Sequence, residues 1–181
     1  KELKPEKSLS TDFSTEINMP KISSNLYLEF YENTIEDIIT APAPTYINQQ
    51  SIESLKTRGI ETRYKLSFAD KNHLRISHAR IFGKQDDGDS ITLVPRDKIV
   101  ASLYSQFNKG FSLNSYYHYQ NKSKDLKFNE LPVYRTMNLN FNFSPNKKDS
   151  LYLKIENLFD RNNVVNRAGT SSNDLGFKSS G

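Results

Sequence analysis

Three histidines, His73, His78 and His118, are the only imidazoles in the chain, and there is no cysteine. A transition-metal site needs ligands that converge on one point. His73 and His78 lie five residues apart in a run with strand periodicity, so they project to opposite faces and cannot share an ion locally. They are read as surface or rim histidines, and no metal is assigned. The lack of cysteine excludes disulfide frameworks, zinc ribbons and thiol catalysis. Asp86-Asp87-Gly88-Asp89 offers oxygen ligands of the kind calcium takes. The rest of an EF-hand loop is missing, so a plain hydrophilic loop is the reading. A Ser/His/acid triad is compatible with composition, but no Gly-x-Ser-x-Gly elbow surrounds any serine. His118 falls within a strand with no motif about it. With seven glycines and no Gly-rich phosphate loop, no catalytic residue and no cofactor are assigned. What remains is binding chemistry. Tyr46, Asn48 and Gln49 sit in a long polar connection, and their phenol and carboxamides suit contact with a small ligand.

The elements that must position these groups are strands. Short connections at Met19–Ser24, Ala69–Lys71, Asn108–Gly110 and Ser144–Asp149 alternate with long ones at Ile39–Gln50, Gly83–Pro95 and Lys122–Pro132. A further polar stretch follows Asn157. A meander with tight turns at one end and long loops at the other has two different environments at its ends, the layout of a transmembrane β-barrel.

Between the connections, alternate residues fall into two rows. Met137, Leu139, Phe141 and Phe143 oppose Asn138, Asn140 and Asn142. Leu151, Leu153 and Ile155 oppose Tyr152, Lys154 and Glu156. Ile60, Thr62, Tyr64, Leu66 and Phe68 carry no charge, whereas the other row holds Glu61, Arg63 and Lys65. Leu26, Leu28 and Phe30 oppose Tyr27, Glu29 and Tyr31. Phe13 and Ile17 oppose Asp12 and Glu16. Ile99, Ala101, Leu103 and Phe107 oppose Lys98 and Gln106, and Phe111, Leu113, Tyr117 and Tyr119 oppose Asn114, His118 and Gln120. The weakest fit is Asn72–Phe82, where Leu74 and Ile76 share a face with His78 and Arg80. The last two are placed above the hydrocarbon, where charge costs little. About eight strands result, with a ninth beginning near Phe177.

Composition agrees. Hydrophobic residues make up 35% of 181, which is low for a globular core but suits strands that are apolar on one face only. Eleven Phe and ten Tyr favour strand over helix. A net charge of +4 with interspersed signs gives no nucleic-acid footprint. No apolar run reaches the roughly 20 residues of a transmembrane helix. Tyr27, Tyr31, Tyr104, Tyr116 and Tyr152 fall in inward rows and would either join an interfacial girdle or line the lumen against the plug. Tyr117 and Tyr119 fall in an outward row and suit an interfacial girdle. Alternation by itself also fits a soluble β-sandwich or barrel whose apolar rows point inward.

Several segments resemble one family. Leu3-Lys4-Pro5-Glu6-Lys7-Ser8, Phe30-Tyr31-Glu32-Asn33 with Ile35-Glu36-Asp37-Ile38-Ile39, Val94-Pro95-Arg96, Leu131-Pro132-Val133-Tyr134 and Ile155-Glu156-Asn157-Leu158-Phe159-Asp160 are similar, in order and spacing, to motifs of TonB-dependent outer-membrane receptors. The resemblance covers nearly the whole chain. It implies an all-β, antiparallel, up-and-down transmembrane barrel of about 22 strands closed around an N-terminal plug, of which residues 1–181 are a C-terminal portion lacking plug, TonB box and closing strand. With two open strand edges, such a slice should not close into a pore alone. It implies residence in a Gram-negative outer membrane, where Asn121-Lys122-Ser123 is discounted as a glycosylation site. It implies non-enzymatic import of a scarce ligand: a ferric siderophore first, haem or cobalamin next. The implied partners are the plug, the TonB complex, outer-membrane lipid and the ligand. Glu61, Arg63, Lys65, Lys154 and Glu156 would then meet plug or water. The alternatives are a non-energised porin or adhesin, an outer-membrane barrel enzyme, and a soluble β-sandwich binding domain.

Overall fold

The computed structural model describes residues 3–40, 49–50, 54–85, 94–108, 110–124, 130–146, 148–167 and 176–178. In chain order the strands are β1 (Lys7–Met19), β2 (Ser24–Glu36), β3 (Ile39–Thr40), β4 (Gln49–Gln50), β5 (Leu55–Phe68), β6 (Asn72–Gln85), β7 (Asp97–Asn108), β8 (Phe111–Gln120), β9 (Ser123–Lys124), β10 (Glu130–Leu131), β11 (Tyr134–Phe143), β12 (Leu151–Ile155), β13 (Val164–Arg167) and β14 (Gly176–Lys178). Eight of them form one antiparallel sheet in the order β1-β2-β5-β6-β7-β8-β11-β12. The order follows the chain, so the sheet is a pure meander, with β1 and β12 as its edges. The small pairs β3–β4, β9–β10 and β13–β14 stand outside it. The strand expected near Phe177 is present as β14 but pairs with β13, not with the large sheet.

All four short turns lie at one end. The first is a single 3₁₀ turn, Pro20–Ile22, with Ser23 left-handed at φ 49° and its N–H on the Pro20 carbonyl at 3.1 Å. Between β5 and β6, Ala69 and Asp70 both take positive φ. Between β7 and β8, Gly110 sits at φ 93°, and its carbonyl accepts from Ser144 N at 2.6 Å, tying this turn to the neighbouring one. A Cβ there would run into the Ser144 carbonyl, so glycine is required twice over.

Register confirms the two faces. The line Leu26–Tyr64–Ile76–Ala101–Tyr117–Met137 is apolar, with tyrosine hydroxyls as its only polar groups. The next line on the other face, Asn25–Lys65–Arg75–Ser102–Tyr116–Asn138, is polar throughout. The apolar face is uncovered. Leu9 is 71% exposed, Phe13 68% and Leu151 69%, and among the described residues Leu131 is the only buried hydrophobic. A soluble β-sandwich packs its apolar rows against a second sheet. The described residues supply none, and the apolar face stays open to its surroundings. β7 carries one irregularity, a register shift between Gln106 and Asn108, and Phe107 meets Phe111 ring to ring at 5.8 Å.

The weak strand, β6, has a geometric explanation. On the apolar face the boundary between apolar and charged residues runs diagonally. It falls at Glu32 and Arg58 on β2 and β5, and at Arg80 and Asp97 on β6 and β7. On β11 it falls at Arg135, which shares a register line with Tyr119, Ile99, His78 and Thr62. Arg58 and Thr62 are four residues apart on β5, so the boundary drops four residues over the four strand steps from β5 to β11. A strand tilt of about 40° displaces neighbouring strands spaced about 4.8 Å by about 4 Å, or roughly one residue per step. The charges on β6 therefore mark the level edge of an apolar band seen through tilted strands.

Candidate functional site

Two charged regions stand out, one on each face. On the polar face, Glu29 and Glu61 are directly opposite across β2 and β5. Like charges so placed repel. Arg63 answers both, at 2.9 Å from Glu61 and 3.8 Å from Glu29. Its guanidinium lies 4.8 Å from the Tyr27 ring centroid, and the Tyr27 hydroxyl donates to Glu29 at 3.1 Å. Beside this ladder, Glu16, Asn25, Lys65 and Arg75 border a recess of about 410 Å³. Asn25 donates to Glu16 and, at 2.6 Å, to Asn18. Farther along, His73, Arg75, Ser102, Tyr104, Asn114 and Tyr116 border a second recess of about 390 Å³. Lys154 pairs with Glu156 at 2.5 Å on the same face.

The residues expected in the inward rows of the strands fall on one face. Glu61, Arg63, Lys65 and Lys154 share the polar face with Tyr27, Tyr31, Tyr104, Tyr116 and Tyr152, whereas Tyr117 and Tyr119 share the apolar one. His73 and His78 do face opposite ways. His73 stacks on Tyr104 at 6.2 Å and contacts Ser67 Oγ at 3.1 Å on the polar face. His78 lies 3.2 Å from Asp97 on the other. His118 meets Gln120 at 3.0 Å and the edge of the Tyr134 ring at 5.1 Å. Tyr46, Asn48 and Asp86-Asp87-Gly88-Asp89 lie outside the described residues. The backbone of Gln49 pairs with Thr40, and its side chain is not described.

One set of polar residues was missed. After β12 the chain keeps beside β11 through asparagine side chains. Asn157, left-handed at φ 49°, donates its N–H to Asn138 Oδ1 at 2.9 Å, and Leu158 N donates to Met137 O at 2.8 Å. The Asn157 carboxamide then holds Arg161 through both its N–H and its carbonyl, at 3.2 and 3.1 Å. Asn163 does the same to Arg135, at 3.0 and 3.1 Å. Each carboxamide imitates a peptide group and continues the sheet without a strand. The Ile155–Asp160 motif is thus a structural clasp.

On the other face, at the long-loop end, the belt is ionic. Glu32 pairs with Lys56 at 2.7 Å and Arg58 at 2.5 Å. Asp97 pairs with His78 at 3.2 Å and Arg80 at 3.7 Å. Beyond the strands, Lys122 and Glu130 meet at 2.8 Å between β8 and β11. Lys122 holds the Glu130 carboxyl below the usual range, and Glu130 in turn raises the Lys122 ammonium.

This arrangement matches known proteins. The family model described as TonB dependent receptor-like, beta-barrel, matches residues 1–158. Among solved structures, the chain is similar to the copper transporter OprC, at 18% identity and TM-score 0.81, over 99% of this chain and 30% of that one. It is similar to the ferric yersiniabactin uptake receptor FyuA from Yersinia pestis at 15% identity and TM-score 0.79, over 96% and 28%. It is also similar to the ferripyoverdine receptor of the outer membrane of Pseudomonas aeruginosa at 17% identity and TM-score 0.75, over 92% and 25%. The chain thus spans between a quarter and a third of the length of these structures. No curated protein matches the sequence. At such identities the structural likeness carries the fold, and the family model carries the membership: the chain belongs to the TonB-dependent receptor β-barrel family.

Proposed function

We propose that this chain is a C-terminal part of the barrel wall of a TonB-dependent transporter in a Gram-negative outer membrane, and that the whole protein imports a scarce ligand, a ferric siderophore before haem or cobalamin. The observation that carries this reading is the two-faced sheet, apolar and uncovered on one side with a charge belt at the long-loop end of that side, and ionic on the other. Such a sheet is stable where hydrocarbon meets one face and water or protein meets the other. Of the similar structures, one is a ferripyoverdine receptor, one a ferric yersiniabactin uptake receptor and one a copper transporter. The mechanism is binding and displacement, not bond-making. The long connections, with Tyr46, Asn48 and Gln49, face the exterior and help capture ligand. Arg63, Lys65, Arg75 and the pair Lys154–Glu156 face the plug, whose displacement remakes those contacts.

The test is uptake of iron-55-loaded siderophores by cells expressing the intact receptor, with and without TonB. Uptake that requires TonB supports the reading. Equal uptake without TonB makes the protein a passive pore. A reagent that labels the connections after Ile39 and Gly83 only from the periplasm overturns the orientation.

A further inference from the structure

Lys65 and Arg75 stand directly opposite each other across β5 and β6, on the polar face. Two cations so placed repel. Elsewhere on this face Arg63 and Lys154 each hold a carboxylate. Among the described residues, neither Lys65 nor Arg75 has an ion pair or a side-chain hydrogen bond. Glu16 borders a recess with both of them, but its carboxylate accepts from Asn25. From Arg75 a block of polar residues runs across β6, β7 and β8 as two register lines. One is Arg75–Ser102–Tyr116, and the other, two residues nearer the short turns, is His73–Tyr104–Asn114. These six residues border the second recess, of about 390 Å³, and no carboxylate is among them. Strand geometry makes the block about 7 Å by about 10 Å.

The donors of this block are open. Tyr104 and Tyr116 are exposed. His73 stacks on Tyr104, and its Nδ1 lies on Ser67 Oγ, which leaves Nε2. Among the described residues, the hydroxyls of Ser102, Tyr104 and Tyr116 and the Asn114 carboxamide also have no partner. Each of these groups can donate a hydrogen bond, and the arginine and lysine are cations throughout the physiological range. Such a set attracts an anion. A guanidinium fork takes a carboxylate through two parallel bonds. A negative charge between Lys65 and Arg75 also relieves their mutual repulsion. A lone carboxylate uses only that end of the block. The rings of Tyr104, Tyr116 and His73 suit a flat body attached to it.

We infer that this block binds a small planar organic acid, with its carboxylate on Arg75 and Lys65 and its body against Tyr104, Tyr116 and His73. The inference rests on the reading of this face as the interior wall of the barrel. It deepens that reading by naming an acid as the kind of molecule the wall receives. The block lies at the short-turn end, so the acid is met inside the barrel and is not captured there by the long connections.

The test titrates the intact receptor in detergent by fluorine-19 NMR. The probes are 4-fluorobenzoate and its neutral counterpart 4-fluorobenzamide, with inorganic phosphate as competitor. The benzoate should bind about tenfold more tightly than the benzamide, the worth of one bidentate, charge-assisted contact. Arg75→Gln should remove that preference, whereas Arg58→Gln on the opposite face should leave it. Equal binding of the two probes overturns the site, and that comparison uses unaltered protein, so it stands even where a variant fails to fold. Displacement by phosphate at equal concentration also overturns it, because it leaves an ion site with no place for a body. Crystals of the receptor soaked in 4-bromobenzoate locate the probe. Bromine scattering within the block supports the site, and a carboxylate of the receptor's own chain on Arg75, with the probe shut out, overturns it. A spin label at Ser77→Cys, on the same face between Arg63 and Val100, separates the two levels. If that label meets oxygen as a lipid-exposed one does, the interior wall and the site fall together. If it is shielded from lipid, the lack of a benzoate preference refutes the site alone.

Discussion

Asn163 holds the peptide of Arg135 at both ends, accepting from its N–H at 3.0 Å and donating to its carbonyl at 3.1 Å. Asn163 is 2% exposed, so this carboxamide does in a loop what a neighbouring strand does elsewhere in the sheet. Removing it leaves a peptide group with no partner at the end of β11. Asn163→Ala should destabilise the intact receptor by about 1–3 kcal/mol, and Asn163→Asp, which keeps the acceptor and loses the donor, should fall between the two. Equilibrium unfolding in detergent or bilayer measures both. An Asn163→Ala variant as stable as the parent would show that the loop does not depend on the clasp.

The two faces of β11 should respond in opposite ways to charge. Leu139 lies midway along the apolar row, and Asn140 is its neighbour on the polar row. Leu139→Arg should cost roughly 2–4 kcal/mol of folding free energy in a bilayer, whereas Asn140→Arg should cost well under 1 kcal/mol. Folding titrations into lipid vesicles give both numbers.

Tyr31 and Gly59 face each other across β2 and β5, and the tyrosine ring covers the space a Cβ at Gly59 would take. Glycine inside a strand normally costs about 0.5–1 kcal/mol relative to alanine. Gly59→Ala should therefore bring that gain in a Tyr31→Ala background and lose it when Tyr31 is present. A double-mutant cycle reads the coupling, and additivity within error would contradict the packing.

The Lys122–Glu130 pair sets a pH window for the β9–β10 hairpin. The Glu130 carboxyl is held down by Lys122, so its contribution is full above the ordinary carboxylate range and is lost as pH falls through its lowered value. The Lys122 ammonium is raised, so its contribution is full below the ordinary lysine range and is lost as pH rises through its raised value. The protection this pair gives the hairpin amides should thus be full and constant between about pH 5 and 9. Exchange should be faster in Glu130→Gln at neutral pH, and wild type and variant should converge as pH falls through the lowered Glu130 value. Equal exchange at pH 7 would show that the pair is not formed.

Strand rows, short turns and the sides on which the tyrosines lie were legible in the chain because a period of two is a local property. The diagonal boundary was not, because it needs the register of five strands at once. Arg80 looks misplaced on β6 alone and is in place beside Asp97. The Asn157 and Asn163 clasp was also hidden. Asparagine is common in loops, and which peptide it imitates depends on the chain folding back. Phe177 read as a further strand of the sheet, but its short strand pairs with β13 instead, since periodicity says nothing of partners. The ligand-contact candidates Tyr46 and Asn48 gained no test, since they lie outside the described residues.

The central claim is that one face of this sheet meets lipid and the other does not. Single cysteines at Leu28, Glu29, Leu139 and Asn140 of the intact receptor, spin-labelled in bilayers, test it through their accessibility to oxygen and to a water-soluble nickel chelate. Leu28 and Leu139 should be oxygen-accessible and shielded from nickel, and Glu29 and Asn140 should show the reverse or be shielded from both. Equal oxygen accessibility at adjacent positions would contradict a barrel wall.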